Sequence, residues 1–354
     1  MTADGLSRQQ QRGYRRAAKA RLVYVNDFDV GYARRRCGKG FTYLSTRGKT
    51  IRSKRTRKRI DMLAIPPAWR DVWICPRSNG HIQAMGRDED GRRQYIYHER
   101  WNAISAAAKF DRLAVMVEAL PRIRRRVRKD LRGDTLGKHR VLAAVVRLID
   151  KVGVRVGNAV YTEKHGSRGV TTLTPQHVEV DGIAISLDFP GKSGQRREID
   201  LSDQKVAPVI ARCEEIGGQF LFCYRRDDGE FEPIDSSDIN AYLDDIGNEV
   251  LTAKDFRTWS GSVAALAYLA ETPLPGSAKQ RKRRVSDAVK ATAKLLGNTK
   301  AVCRGSYIHP SILAAAETGE LDKLLDPFRR LRSRHRIAEL TVDECRFAAL
   351  LPSL

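Results

Sequence analysis

The sequence contains no paired-cysteine motif, no histidine motif for metal binding and no long apolar run. Its six cysteines are scattered over 354 residues without a CxxC pair, and its seven histidines form no HExxH. These absences give no support for a zinc site or a disulfide framework, and they predict reduced, mostly packed thiols. Because no run of about 18 apolar residues occurs, we expect a soluble, cytoplasmic protein without a membrane partner.

Acidic residues are few relative to basic ones. The chain has 65 Lys+Arg against 42 Asp+Glu, which gives a net charge of +23. Such an excess repels itself in a compact fold unless the partner is a polyanion, so nucleic acid is the leading candidate and a membrane surface the second. Two dense basic stretches, RSKRTRKR at 52–59 and KQRKRR at 279–284, predict sequence-independent contacts with phosphates.

The first part of the chain is predicted to be β-rich. Residues 1–20 are polar and rich in arginine, so we expect a flexible basic arm. Residues 21–105 contain short β-like runs, with turns at CGKG and RDEDG, which predict a small β-rich domain. The runs are LVYVND, GFTYLS, DVWICP, GHIQAMG and RRQYIYH.

The second part is predicted to be larger and mostly helical, which makes the fold class α+β. From Trp101 onward the apolar spacing is helical up to Pro121, which we expect to end that helix. We place a domain boundary near Ala106, so residues 106–354 form the second domain. One β island, from about Val170 to Leu201, interrupts its helices.

Arg155 lies in VLAAVVRLIDKVGVRVGNAVY, which we interpret as one helix with this arginine on the buried face. Burying a guanidinium is costly unless it meets an anion. An internal ion pair with Asp150 or Glu163, or an arginine whose head reaches solvent, is the alternative.

Arg257 lies near the start of a second predicted helix, LTAKDFRTWSGSVAALAYL, with Thr252 as its N-cap and Asp255 completing a capping box. A cation in the first turn opposes the helix dipole, so a bound phosphate would resolve the conflict, and Lys254 is placed to contribute. The alternative is a solvated arginine.

The stretch FPGKSGQRRE contains GKS but does not form a nucleotide-binding loop. The pattern GxxxxGK[ST] requires glycine where this chain has Ser186, and a strand follows where a helix is needed. We therefore reject ATP binding and predict a β-hairpin with Lys192 at its tip. A solvated hairpin lysine is the alternative.

Tyr307 lies in LLGNTKAVCRGSYIHP, after Asn298 and a glycine that ends a helix. A phenol is a weak nucleophile at neutral pH, so a catalytic role for Tyr307 requires helpers elsewhere in the chain. A tyrosine with a core-facing ring is the alternative.

In chain order, the segments VRVGN, GKSG, KDFRTW and RGSY resemble those of the type IB DNA topoisomerases of the poxvirus and bacterial kind. IPPAWRDVWICP and GRRQYIYH resemble the amino-terminal domain of the bacterial members, so the resemblance covers roughly residues 21 to 313. It implies relaxation of positive and negative supercoils through a 3′-phosphotyrosine intermediate, without ATP, metal or any other cofactor.

The resemblance also implies roles for individual residues. Tyr307 would be the nucleophile, Arg155 and Arg257 would clamp the non-bridging oxygens, and Lys192 would protonate the departing 5′-oxygen. Lys254 would support the same phosphate. These types suit the chemistry, because planar guanidiniums bind a charged phosphoryl group well and an alkoxide leaves poorly without an acid.

Asn298 is a departure from many relatives, which have histidine at this position, although some bacterial members have asparagine. An amide donates a hydrogen bond to a phosphate oxygen but carries no charge. We therefore expect catalysis to be retained with a different pH dependence.

The same resemblance implies contacts with double-stranded DNA by Arg92, Gln94, Tyr95 and Tyr97 in the first domain and by Tyr161 in the second. Side chains two apart on a strand share a side, so Gln94 and the two tyrosines cannot all face DNA from one regular strand. A cross-strand cluster is the alternative for the tyrosines. The family geometry implies a monomer that closes as a clamp around the duplex, in the nucleoid.

Two other functions are compatible with the sequence. A tyrosine recombinase shares the phosphotyrosine chemistry but usually has HxxR where this chain has KDFR. A basic DNA-binding protein without catalysis leaves the ordered set of arginines, lysine and tyrosine unexplained. The segment LDPFRRLRSRHRIAELTVDECRFAALL, which has helical spacing, is either a packing helix or a partner surface.

Overall fold

The computed structural model describes most of the chain as two compact units, Met1–Lys109 and Phe110–Leu354. The described residues are 8–26, 28–247, 251–329 and 336–354, without the side chains at positions 8, 9, 12, 160, 161, 165 and 193. Within those ranges, none of the helices has the length and apolar character needed to cross a bilayer. The α+β class is confirmed. The boundary that the sequence suggests near Ala106 stays a prediction.

The first unit is built on a five-stranded antiparallel sheet. Four of its strands coincide with predicted β-like runs, and the turn at CGKG is confirmed with Gly38 at φ +55°. The strands are β1 Tyr32–Cys37, β2 Gly40–Leu44, β3 Arg70–Ile74, β4 Ile82–Arg87 and β5 Arg93–Tyr97. Their order in the sheet is β2-β1-β3-β4-β5, so β5 forms an edge. Helix α2, Lys54–Met62, buries Ile60 in the apolar cluster that contains Ile74.

The first unit differs from the expectations at two places. Helix α1, Arg8–Lys19, occupies most of the segment expected to be a flexible arm, and its Ala17 is buried while Tyr14 contacts Tyr24, but the flexibility of the arm stays a prediction. The run LVYVND contributes only an isolated bridge at Val23, and Asp27 lies outside the described residues. The strand in this region is β1, YARRRC, whose side chains are mostly exposed and therefore show no apolar alternation.

The second unit packs helices around a central buried helix. Eight residues of α4, Lys138–Val152, are buried, and α4 contacts α7, Ser236–Gly247, and α8, Ala253–Glu271. The remaining helices of the described part are α3 Glu99–Asp130, which begins in the first unit, α5 Ala159–His165, α6 Ala207–Ile216, α9 Ala278–Leu296, α10 Lys300–Ser306, α11 Pro310–Thr318, α12 Glu320–Leu325 and α13 Val342–Leu350.

Helix α3 does not end at Pro121 as expected. It continues to Asp130, and Pro121 is buried together with Leu120 and Ile123. A proline inside a helix costs about 3 kcal/mol locally, so the burial of this apolar face must outweigh that cost. Local sequence rules do not contain this tertiary contribution.

The predicted β island is confirmed as a three-stranded antiparallel sheet. Its strands are β6 Val178–Asp181, β7 Ala184–Pro190 and β8 Arg196–Ser202, in that order. The hairpin between β7 and β8 carries the GKS sequence, as predicted, with Lys192 at its tip. A second, shorter hairpin of β9 Cys223–Arg225 and β10 Phe231–Pro233 was not predicted, because each strand is too short to show a period.

The C-terminal segment is confirmed as a packing helix over Val342–Leu350, whereas residues 330–335 lie outside the described part. The ring of Phe347 meets Trp259 edge to face at 5.2 Å. Glu344 accepts hydrogen bonds from Arg124 at 2.7 Å and from Trp259 Nε1 at 2.9 Å, and Arg124 also binds Asp150. Burial opposes the ionised form of Glu344, but the hydrogen bonds from Arg124 hold its pKa below the usual range.

Replacement of Glu344 with glutamine should destabilise the second unit by about 1 to 3 kcal/mol at pH 7, because a buried charged hydrogen bond is lost. The folded pKa of Glu344 is depressed, so its contribution is present above the unfolded value of about 4.3 and disappears as the pH falls through the folded value. Urea unfolding of both proteins at several pH values measures the difference.

The matched control for this experiment is Asp343→Asn, which alters the adjacent carboxylate. Asp343 is more exposed, and its ion pair in the described part is with Arg346 at 2.6 Å on the same helix, so its loss should change stability little. If the difference in unfolding free energy between wild type and Glu344→Gln stays constant down to pH 3, the assignment of a depressed pKa to Glu344 is contradicted.

Candidate active site

Arg155 lies in an extended segment and not on a helix, which corrects the expectation of one continuous helix through Tyr161. Helix α4 ends because Gly153 adopts the left-handed conformation at φ 60°. The apolar pattern continues past it because the next residues pack against a neighbouring segment, where Val170 N donates to the Arg155 carbonyl at 2.8 Å.

The guanidinium of Arg155 binds the segment that follows α9. Its Nη2 donates to the Gly297 carbonyl at 3.1 Å and to Oδ1 of Asn298. Neither Asp150 nor Glu163 contacts it within the described part, and Asp150 is bound to Arg124, so the internal ion pair is wrong. Burial, and then the nearby Arg257, lower the pKa of Arg155 to about 10, which leaves it charged at neutral pH.

Arg257 enters the core from α8, so the solvated alternative is wrong. The predicted capping box is confirmed, because Thr252 N and Oγ1 donate to Asp255 at 2.7 and 2.8 Å. Arg257 lies one residue beyond the first helical turn and is only 4% exposed. It donates to the carbonyls of Gly153 and, at 2.8 Å, of Leu296. Burial lowers the pKa of the Arg257 guanidinium, because its charged form loses contact with water.

Asn298 is held by the end of α9. Gly297 is left-handed at φ +57°, and Asn298 N returns to the Ala293 carbonyl at 2.9 Å, which closes a Schellman motif. The side-chain oxygen of Asn298 accepts from Arg155, which orients its Nδ2 away from that contact.

Two buried nitrogen donors at this point have no partner among the described residues. They are Nδ2 of Asn298 and Nε of Arg257. Buried donors are satisfied in the great majority of cases, so water or a ligand would bind these two. An anion is a ligand to which both the amide Nδ2 and the guanidinium Nε would donate.

Tyr307 caps the short helix α10 and lies against α8. Its carbonyl accepts from Ser262 Oγ at 3.3 Å, and a Cβ at Gly261 would lie 2.6 Å from the same oxygen. The guanidinium carbon of Arg257 lies 5.0 Å from the centroid of the tyrosine ring, which is only partly buried. Tyr307 therefore lies beside the guanidinium of Arg257, which carries one of the two orphaned donors.

Lys192 and Lys254 are not brought into this group. Both are exposed, Lys192 at the hairpin tip and Lys254 near the start of α8. Neither ammonium group forms a hydrogen bond or ion pair with another described residue. The structure thus joins four of the expected residues, Arg155, Arg257, Asn298 and Tyr307, and leaves the two lysines apart.

Sequence reasoning missed three residues of this region. Gly261 and Ser262 hold the backbone of Tyr307, and an isolated glycine within a helical pattern was the available signal for them. Arg197 on β8 donates to two carbonyls at the end of α9, and its position in a polar hairpin gave no signal.

In the first unit, Gln94 has different partners from Tyr95 and Tyr97 on the same strand, as strand alternation predicts. Arg92 and Gln94 both bind Asp88, at 2.7 and 2.8 Å. The rings of Tyr95 and Tyr97 lie 5.8 Å apart and stack, and Tyr97 is 37% exposed. The tyrosines thus form an aromatic pair on one strand. Contact of any of the four with DNA stays a prediction.

The basic stretch 279–284 is only partly available to a partner. Arg284 is buried and binds Asp322 at 2.9 Å, and Arg281 donates to the Glu317 carbonyl, so the expected phosphate contact is wrong for Arg284. Lys279 and Lys282 are exposed. Tyr161 is on α5, and its side chain lies outside the described part of the structure.

Comparison with known proteins gives two family matches and several relatives. The family model for the catalytic core of eukaryotic DNA topoisomerase I matches residues 99–324, and that for the N-terminal domain of bacterial DNA topoisomerase IB matches residues 40–88. DNA topoisomerase 1B of Acanthamoeba polyphaga mimivirus is 30% identical over 285 residues, which are 78% of this chain and 85% of that protein.

More distant relatives are also similar to this chain. DNA topoisomerase 1B of Vaccinia virus (strain Copenhagen) is 24% identical over 238 residues, covering 65% of this chain and 70% of that protein. DNA topoisomerase 1 alpha of Arabidopsis thaliana is 27% identical over 179 residues, covering 50% of this chain but 19% of that protein.

Replacement of Gly261 with alanine should destabilise the second unit by about 1 to 3 kcal/mol, because the new methyl group overlaps the Tyr307 carbonyl. Gly305 on α10 is the matched control, since a Cβ there meets nothing within 4 Å. Alanine at 305 should be neutral or stabilise by up to about 1 kcal/mol through helix propensity. Urea unfolding of wild type and both variants measures the difference. Equal unfolding free energies for wild type and Gly261→Ala would show that Gly261 does not support Tyr307.

Proposed function

This chain belongs to the type IB DNA topoisomerase family, and we propose that it relaxes positive and negative supercoils in double-stranded DNA by transient cleavage of one strand. It is therefore an enzyme of the isomerase class. The observation that carries the mechanism is the occurrence of two orphaned donors at this site, Nε of Arg257, whose guanidinium lies beside the ring of Tyr307, and Nδ2 of Asn298, whose Oδ1 accepts from Arg155. A phosphodiester would satisfy both donors while presenting its phosphorus to the tyrosine.

The charge of the site supports the same ligand. Arg257 lies close enough to Arg155 to oppose its charge, and burial deprives both guanidiniums of water. A phosphate would offset this repulsion in a setting of fixed donors, which is the arrangement that stabilises charge developing on equatorial oxygens. The two Nη groups of Arg257 each bind one carbonyl, and its Nε has no partner among the described residues, so Nε would donate to the phosphate.

We assign the attacking group to the phenol of Tyr307. Its oxygen would bond to phosphorus as the bond to the 5′-oxygen breaks, which leaves a 3′-phosphotyrosine and a 5′-hydroxyl. The phenolic proton would pass to solvent, and Lys192 would donate the proton that the leaving oxygen requires. Lys192 must move toward the phosphate to do this, and the tip of a hairpin is a suitable place for such a residue. Lys254 would support the same phosphate.

Resealing would be the reverse reaction. The phosphotyrosine conserves the energy of the broken bond, so the free 5′-hydroxyl can attack it after the strand has rotated, and neither ATP nor another cofactor is consumed. We also propose that the enzyme acts as a monomeric clamp in the nucleoid. Tyr95, Tyr97 and Tyr161 would contact the duplex, and Arg92 and Gln94 would do so by leaving Asp88.

Relaxation of supercoiled plasmid in EDTA without ATP tests this proposal, with wild type compared to Tyr307→Phe. The phenyl ring has no attacking oxygen, so we expect activity to fall by roughly a thousandfold or more. Detergent should trap a covalent 3′ adduct with wild type alone. Tyr268→Phe, which alters another partly buried tyrosine of the second unit, should relax plasmid as wild type does.

Two results would refute the proposal in favour of the alternatives. Binding of plasmid without relaxation or adduct would indicate a DNA-binding protein without catalysis. An adduct that forms only when two copies of a specific sequence are present would indicate a recombinase.

Replacement of Asn298 tests the amide. Alanine removes the donor and the acceptor for Arg155, so we expect single-turnover cleavage to slow by about 10- to 1,000-fold. Histidine should restore a donor and add a titration near pH 6.5 that the wild-type amide cannot show. Cleavage rates of the three proteins between pH 5.5 and 8.5 measure this. Equal rates throughout would remove Asn298 from the site.

A further inference from the structure

Lys192 has no fixed contact of its own, yet the proposed reaction requires its ammonium group at one oxygen. It is exposed on the connection between β7 and β8, and it forms no hydrogen bond or ion pair with another described residue. The base of the hairpin must therefore supply its position. The residue that holds the hairpin against the rest of the second unit is on β8.

Arg197 on β8 fastens this hairpin to the end of α9. It pairs in register with Phe189 across the hairpin, and its Nη1 and Nη2 donate to the carbonyls of Lys294 and Leu295 at 3.2 and 3.0 Å. These carbonyls belong to the last turn of α9, where intrahelical partners run out and the helix dipole favours a cation.

Two glycines leave space for this one side chain. A Cβ at Gly297 would lie 2.6 Å from Nη1 of Arg197, and a Cβ at Gly191 would lie 2.8 Å from its Cγ. Gly191 immediately precedes Lys192, whereas the carbonyl of Gly297 accepts from Arg155. The side chain of Arg197 thus lies against Gly191, which precedes Lys192, and against Gly297, whose carbonyl binds Arg155.

The buried position of Arg197 is electrostatically unfavourable, which favours a role in the reaction over a role in stability. Burial lowers the pKa of Arg197, and the charge of Arg257 adds to the effect. A third guanidinium near those of Arg155 and Arg257 is unfavourable while no DNA is bound. An apolar side chain would fill the same space without that repulsion but would not hold the carbonyls.

We propose that Arg197 is a positioning residue that sets the distance between Lys192 and the phosphate bound by Arg155, Arg257 and Asn298. This inference rests on the proposed function and concerns only the protonation of the leaving oxygen. Arg197 would act through the hairpin and would not touch the DNA.

The test measures single-turnover cleavage of two DNA substrates, one with the natural 5′-oxygen and one with sulfur at that bridging position. A thiolate leaves without a proton, so the sulfur substrate does not need Lys192. Arg197→Ala should slow cleavage of the oxygen substrate by about 10- to 100-fold, as expected for a misplaced catalytic group, and cleave the sulfur substrate at nearly the wild-type rate. Lys192→Ala should show the same pattern with a larger defect of about 100- to 10,000-fold.

Arg196→Ala is the matched control, because it removes the same charge from the adjacent hairpin position. Arg196 is exposed and pairs with Asp188 and Glu198 on the hairpin, and among the described residues it forms no hydrogen bond or ion pair with α9. It should cleave both substrates as wild type does. Arg197→Lys keeps the charge but replaces the planar fork, whose two Nη groups each bind one carbonyl, with a single nitrogen, so it should show the same substrate pattern if the alanine variant fails to fold.

A defect of Arg197→Ala that is equal on both substrates, or no larger than that of Arg196→Ala, would overturn the inference. If wild type forms no covalent adduct with either substrate, the proposed function itself fails. If wild type and Lys192→Ala behave as described while Arg197→Ala does not, only the role of Arg197 is refuted.

Discussion

Four successive carbonyls at the C-terminal end of α9 receive three arginine side chains. Arg197 binds those of Lys294 and Leu295, Arg257 that of Leu296, and Arg155 that of Gly297. A helix end supplies unpaired carbonyls and partial negative charge, so it can assemble cations that would otherwise repel one another. The candidate phosphate site depends on this interaction, because it fixes the guanidiniums before any DNA arrives.

The rest of the second unit keeps that helix end in place. At the other end of α9, Arg284 is buried against Asp322, and Arg281 donates to the Glu317 carbonyl. Gly153 ends α4 and offers its carbonyl to Arg257, while Gly261 lets the Tyr307 backbone approach α8. Preorganisation of this kind means that little reorganisation is left for the chemical step.

The sequence allowed prediction of the residue types and their order but not of their partners. Arg155, Lys192, Arg257 and Tyr307 were identified from motifs, and the hairpin and capping box were identified from local rules that depend on few residues. The end of α4 at Gly153 was missed because the apolar pattern continues through a segment that packs without being helical. The role of Arg284 was missed because a basic run does not reveal which of its members meets a buried carboxylate. Such contacts depend on tertiary packing, which no local pattern contains.

The most direct measurement of the central claim is the identity of the residue that becomes linked to DNA. Trypsin should release the adduct on a peptide that spans residues 305–323, in which Tyr307 is the single tyrosine. Mass spectrometry of the adduct, digested with protease and nuclease, should find a 3′-phosphoryl group on Tyr307. A linkage to any other residue, or to a 5′-phosphate, would contradict the account.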